Sequence, residues 1–208
     1  MIKEWLSHPR DHWRLSGLFI LIALQALYFP INRLIQGGRV LKTPLDDHIP
    51  LWPMWIVPYL LFVVWWATCL VWAACCMEKE LFRAFVVSAA SVMLISYAIF
   101  IVYPTYVVRP TLTGSSWDWR WLDWIYRHDR AYNAFPSSHT YSTMLVFFYW
   151  FRWYPRTVWL WGAISFMIVC STVLVHQHYV PDLIGGIILA WLGYRLGLWW
   201  VARHPDGA

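Results

Sequence analysis

Residues 56–77, IVPYLLFVVWWATCLVWAACCM, run for twenty-two positions without a charged side chain and stop at Glu78, Lys79, Glu80 and Arg83. About 20 apolar residues in a helix cross the hydrocarbon core of a bilayer. Lipid offers the backbone no hydrogen-bond partner, so a span must satisfy its own N–H and C=O groups, which selects a helix. Five further apolar runs flank this one, at about 15–30, 84–103, 139–151, 157–175 and 183–202. Two of them end at Phe29-Pro30 and Tyr103-Pro104. The run at 139–151 is short and gains length from the polar residues at its start. The pattern predicts an all-α, polytopic six-transmembrane-helix bundle, a single integral membrane domain over residues 1–208.

Composition agrees. The chain is 60% hydrophobic and 13% charged, where a soluble domain carries about 25% charged residues. Eighteen Trp suit the membrane–water interface, where an apolar ring and a polar N–H are both accommodated. The formal charge of +5 fits cytoplasmic loops, anionic headgroups or a phosphate substrate. Nucleic-acid binding is not expected, because no polar stretch is long enough to form a module for it. Cys69, Cys75, Cys76 and Cys170 all sit in apolar runs without a C-x-x-C pair and read as small packing residues. The N-terminal MIKEWLSHPRDHWRLSG is too polar and too long for a cleaved signal, so the first span is expected to be retained.

Six spans put both termini on one side and the connections 31–55, 105–138 and 176–182 on the other. The terminal side carries Lys3, Arg10, Arg14, Lys79, Arg83, Arg152, Arg156 and Arg203. The opposite side carries Arg33, Arg39, Lys42, Arg109, Arg120, Arg127 and Arg130. Basic density is higher in the shorter terminal-side loops, which places the termini in the cytoplasm. The arginines of the far side then ask for another cause, and a phosphate ligand supplies one.

Three clusters fall on that far side: Tyr103 to Pro110, with Arg109; Asn133 to His139, with Ser137 and Ser138; and His176 to Asp182. His178 and Asp182 are four apart, and if helical they are neighbours on one surface. Asp182 would take a proton from one imidazole nitrogen and leave the other free to attack phosphorus. His139 would protonate the leaving oxygen and then activate water. Arg109 offers a fork of donors for phosphate oxygens, and Ser137 and Ser138 precede a helix N-terminus that favours an anion. Each residue also has an ordinary reading. A histidine at an interface is commonly a wet polar residue, Ser137 or Ser138 can cap a helix, Arg109 can anchor to headgroups, and Asp182 can cap the last helix.

At these residues the chain resembles the type 2 phosphatidic acid phosphatase (PAP2) superfamily, whose blocks read K-x6-R-P, P-S-G-H and S-R-x5-H-x3-D. Arg109-Pro110 matches the first, Pro136, Ser137 and His139 the second, and Ser171, His178 and Asp182 the third. The first-block Lys falls at Val102, the Gly at Ser138 and the third-block Arg at Thr172. The stretch Thr43-Pro44-Leu45-Asp46-Asp47 to Ile49-Pro50, with Gln177-His178-Tyr179 to Asp182, is similar to the inositol phosphorylceramide synthase-like sub-branch. The resemblance implies a metal-independent, cofactor-free enzyme with a covalent intermediate on His178, oriented by Asp182, and His139 as acid and base. Its substrate would be a lipid phosphate: phosphatidic acid, a polyprenyl phosphate or a phospho-headgroup lipid.

Arg120, Arg127, Arg130, His128 and His176 are candidates for the missing grip, and Asp46 and Asp47 for contact with a sugar or alcohol acceptor. Each has an ordinary reading too, as interfacial anchors or as the end of a segment before Pro50. Water as acceptor gives a lipid phosphatase; an alcohol gives a phosphotransferase. A metal or haem site built from His48, His128, His139, His176, His178, Asp46, Asp47 and Asp182 is a third possibility, and a transporter or scaffold a fourth. The expected location is a bacterial inner (cell) membrane, with the site on the extracytoplasmic face.

Overall fold

The computed structural model describes residues 12–205, and over these the chain is helical, with no named strand. The polar N-terminal stretch, with Lys3 and Arg10, lies outside the described residues. Seven helices follow in order: α1 (His12–Leu34), α2 (Ile56–Cys76), α3 (Lys79–Val102), α4 (Trp117–His128), α5 (Ser138–Trp153), α6 (Val158–Leu174) and α7 (Val180–Arg203). Short 3-10 turns at Pro53–Trp55 and Pro155–Thr157 lead into α2 and α6.

Among the described residues, five helices are long and apolar enough to cross a bilayer: α1, α2, α3, α6 and α7. The expected sixth, α5, forms, but with 16 residues. At a rise of about 1.5 Å per residue it is about 24 Å long, short of the roughly 30 Å hydrocarbon core. Its first turns carry Ser138, His139, Thr140, Ser142 and Thr143, and Pro155 follows its C-cap Tyr154.

The longest polar connection, between α3 and α5, holds a helix, α4. Leu122 and Ile125, three apart, are buried against Ile56, Tyr59 and Val175, while Trp117, Trp121 and Trp124 line its exposed side. Spacings of three and four collect side chains on common faces of a helix, so α4 has an inward apolar seam and an outward indole stripe. Outward-facing Phe19, Val63, Val64, Phe166 and Ile188 are likewise exposed, as lipid-facing side chains in a bilayer are.

The close packing of α7 on α3 and α5 positions the site. A Cβ on Gly197 would strike Ser88 Oγ and the Ala84 carbonyl, and one on Gly193 would strike Val92. Small residues let membrane helices approach this closely. Ser88 Oγ donates to the Gly193 carbonyl at 2.7 Å and shares a 2.7 Å hydrogen bond with the Tyr149 hydroxyl. Higher on the same helix, Gly186 lies against Thr140 and the Ser137 carbonyl. The N-termini of α5 and α7, which carry His139 and Asp182, are thereby drawn together.

Candidate active site

Short backbone bonds weave the three connections into one cap. Arg39 N–H donates to Pro104 O at 2.9 Å and Tyr106 N–H to Arg39 O at 3.0 Å. Val107 N–H donates to Ala131 O at 2.9 Å, Ser137 N–H to Asp182 O at 3.0 Å and Trp52 N–H to Leu174 O at 2.8 Å. Residues more than a hundred positions apart in sequence therefore meet at one end of the bundle.

His178 sits just before α7, and not within a helix as its spacing to Asp182 had suggested. The pair still meets: His178 Nδ1 lies 3.4 Å from Asp182 Oδ2. The contact arises because the Asp182 carboxylate turns back over the helix start, where Oδ2 also accepts the Tyr179 N–H at 2.9 Å. Pro181 occupies the first turn, where its missing N–H costs nothing. Asp182 is fully buried and His178 is 9% exposed. In the tautomer that carries its proton on Nδ1, facing Asp182, the Nε2 lone pair is free.

The ring of His139 stands edge-on to that of His178, with centroids 6.1 Å apart. It stacks on Tyr59 at 4.4 Å and leans on Phe62 at 4.5 Å, and its Nδ1 is buried with no partner among the described residues. Ser137 caps α5, its Oγ accepting the Thr140 N–H at 3.3 Å, and Ser138 is the first helical residue.

Arg109 reaches this cluster from the second connection, but most of its donors are taken. Nη1 donates to Tyr126 O at 2.9 Å, and Nη2 donates to Asp129 O at 2.8 Å and to Gln177 Oε1, next to His178. Its guanidinium lies over the Tyr126 ring at 4.5 Å, and Nε is buried with no hydrogen-bond partner among the described residues. Burial lowers the Arg109 pKa, and Asp129 opposes that shift.

Asp129 is a member of the cluster that nothing in the sequence singled out. It follows α4 directly, and its oxygens accept the Tyr28 hydroxyl at 3.0 Å and the Tyr59 hydroxyl at 3.1 Å. Burial pushes its carboxyl up, against the pull of Arg109, the two hydroxyls and His178. Tyr59 thus bonds Asp129 through its hydroxyl and supports His139 with its ring face. No motif marks Tyr28 or Tyr59, which sit in apolar runs.

A cavity of about 130 Å³ opens beside His178, lined also by Lys42, Asp46, Asp47, Ile49, His176 and Tyr179. Asp46 builds this wall: Oδ2 accepts the Thr43 N–H and hydroxyl at 2.7 Å each, and Oδ1 accepts the Val180 N–H of α7 at 2.8 Å. Asp47 pairs with Lys42 at 2.5 Å. His176 Nε2 is 3.2 Å from Ile49 O, and burial lowers its pKa. Arg130 lies elsewhere, bonding Arg33 O at 3.3 Å on a more open pocket shared with Arg109, Tyr106 and Tyr132. On α4, Arg127 pairs with Asp123 at 2.9 Å and His128 stacks on Trp124, while Arg120 Nε bonds Ser115 O at 3.1 Å. Thr172 supplies one carbonyl that accepts the N–H groups of Gln177 and His178 at 2.9 and 3.1 Å. Among the described residues, no group of three or more His, Cys, Asp or Glu side chains is placed to hold a metal ion.

A family model described as PAP2 superfamily matches residues 25–196, which takes in every group described around His178. No curated protein and no solved structure matches the chain.

Proposed function

The chain belongs to the PAP2 superfamily, and from that premise we propose that it is an integral membrane lipid phosphatase working through a phosphohistidine on His178. One observation carries the proposal: a buried His178–Asp182 pair with a second imidazole, His139, 6.1 Å away between ring centroids. A phosphorus atom held between the rings meets a nucleophile on one side and a proton donor on the other.

The residues divide the steps as follows. The Nε2 lone pair of His178 attacks phosphorus as the bond to the lipid oxygen breaks, and the leaving oxygen takes a proton from His139. A phosphate dianion between the rings favours the imidazolium form of His139, because a nearby opposite charge stabilises it. Asp182 holds Nδ1–H and stabilises the positive charge that grows on His178. Neutral His139 then takes a proton from water as its oxygen attacks phosphorus, and the P–N electron pair returns to Nε2. The Nε–H of Arg109 and the free N–H groups at the start of α5, behind Ser137 and Ser138, offer donors to the phosphoryl oxygens.

Transfer to an alcohol acceptor is the second reading, as in the inositol phosphorylceramide synthase-like sub-branch. The Thr43–Ile49 stretch that suggested it forms a wall of the His178 cavity. We also assign α5 as a sixth span. It starts at the site and is followed by its C-cap Tyr154, whose ring packs 5.7 Å from Trp72 near the other end of α2. Short spans are accommodated by local thinning and flanking residues. Both termini would then be cytoplasmic and the site extracytoplasmic, in a bacterial cell membrane.

The test is phosphate release from a panel of lipid phosphates by the purified chain, with His178→Ala and His139→Ala beside it. Turnover that collapses in both folded variants supports the assignment; turnover that persists in His178→Ala removes it.

A further inference from the structure

The superfamily pattern grips phosphate with cations that this chain lacks. The first falls at Val102, an aliphatic side chain 83% exposed on α3. The other falls at Thr172, whose hydroxyl bonds Val169 O at 2.7 Å inside α6. Arg109 remains, but its Nη groups hold the carbonyls of Tyr126 and Asp129 and the amide of Gln177, so beside the His178 cavity it has one donor nitrogen left without a partner among the described residues, Nε. A phosphate entering that cavity brings two negative charges and needs a cation there.

One side chain on the cavity wall carries a permanent positive charge: Lys42. It comes from the connection between α1 and α2, outside all three family blocks. Its stretch is fixed in place, since Asp46 ties Thr43 to the first N–H of α7 and Ile49 is held by His176. Lys42 itself is about half exposed and, among the described residues, is bonded to Asp47, also exposed, so its ammonium can exchange that carboxylate for a ligand. We propose that Lys42 is the phosphate-binding cation of this site, supplied from a different part of the chain and held in check by Asp47 until a phosphomonoester of a lipid enters. This rests on the phosphatase reading for its substrate, but phosphate binding can be measured apart from turnover.

The experiment uses the full chain in detergent, with inorganic phosphate as the probe, read by thermal stabilisation and by competitive inhibition of lipid phosphate hydrolysis. Lys42→Met is expected to weaken phosphate binding by roughly tenfold to a hundredfold, the range for loss of a charge-assisted bond, and Lys42→Arg to retain most of it. Asp47→Asn is the discriminating variant. If Asp47 competes with phosphate for the ammonium, Asp47→Asn binds phosphate more tightly. If the pair merely shapes the loop, Asp47→Asn weakens binding as Lys42→Met does, and the proposal falls. It falls equally if Lys42→Met binds phosphate as the wild type does while lipid phosphate is still turned over, which leaves the phosphatase reading standing. Lys42-dependent phosphate binding without turnover of any lipid phosphate keeps the cation and removes the reaction. A wild-type chain with neither property removes both.

Discussion

One oxygen of Asp182 serves two partners: Oδ2 lies 3.4 Å from His178 Nδ1 and 2.9 Å from the Tyr179 N–H. The same atom therefore closes the first turn of α7 and faces the imidazole, so stability and activity draw on it together. Asp182→Asn keeps an oxygen for the Tyr179 N–H and for Nδ1 but removes the negative charge that faces the imidazole. The imidazole is then held less well in the tautomer that frees Nε2. Turnover is expected to fall on the order of 10²- to 10⁴-fold with little change in melting temperature. Asp182→Ala should lose the same activity and also about 1 kcal/mol of stability from the missing cap. Kinetics and thermal unfolding of the two variants side by side check the separation, and equal melting losses would contradict it.

His139 and His178 differ in the bond they act on, and leaving-group chemistry tells them apart. A general acid matters most when the departing oxygen is a poor leaving group. His139→Gln is expected to lose about 10²- to 10⁴-fold on a lipid phosphate and much less on an aryl phosphate, whose phenolate leaves unaided. His178→Ala should fail on both. If His139→Gln loses equally on the two substrates, proton donation is not its role. The stacking of its ring on Tyr59 and Phe62 would then point to a packing role.

On the six-span reading, residues at alternate span ends share a membrane face whatever their distance in sequence. His178, Asp182 and His139 were found that way, and Pro181 marked the start of α7. The helical register proposed for His178 was not met, because the helix starts only at Val180, after an extended N-cap residue Tyr179, and the carboxylate folds back instead. Asp129 and Tyr59 were out of reach. A buried carboxylate between two tyrosine hydroxyls depends on where α4 docks, and α4 looked polar because its indoles alternate with Asp and Arg. Lys42 was visible only as a charge, since nothing in the spacing tells which wall a loop lysine will face.

The glycines of α7 predict which substitutions the bundle tolerates. Gly197→Val forces a side chain into Ser88 and the Ala84 carbonyl, and backbone cannot yield as a flexible side chain does. Overpacking of this kind costs about 1–3 kcal/mol or more, and it also separates α7 from α3, carrying Asp182 away from α5. Gly162→Ala on α6 is the control: its added methyl meets Phe147 at an ordinary 3.7 Å. In a helix interior that change is expected to be neutral or to stabilise by about 0.5–1 kcal/mol. Thermal unfolding in detergent, with phosphate release measured in parallel, should show both losses in Gly197→Val and neither in Gly162→Ala.

Asp129 predicts a pH dependence with a definite sign. Burial raises its carboxyl in the folded chain, while an unfolded Asp titrates near about 3.9. Between those two points the folded state holds a proton that the unfolded state has released, so stability falls as pH rises. The contribution is fully present below about pH 3.9 and is lost as pH climbs through the folded value. Asp129→Asn removes the titration and keeps one acceptor for Tyr28 or Tyr59. The melting temperature of the wild type relative to Asp129→Asn is therefore expected to drop from acid toward neutral pH, and a difference that stays flat or rises would contradict a buried, proton-holding carboxyl. The same variant loosens the hydroxyl bond that sets the Tyr59 ring under His139. Its activity should fall less than that of His139→Gln, because the imidazole remains and only its support is altered.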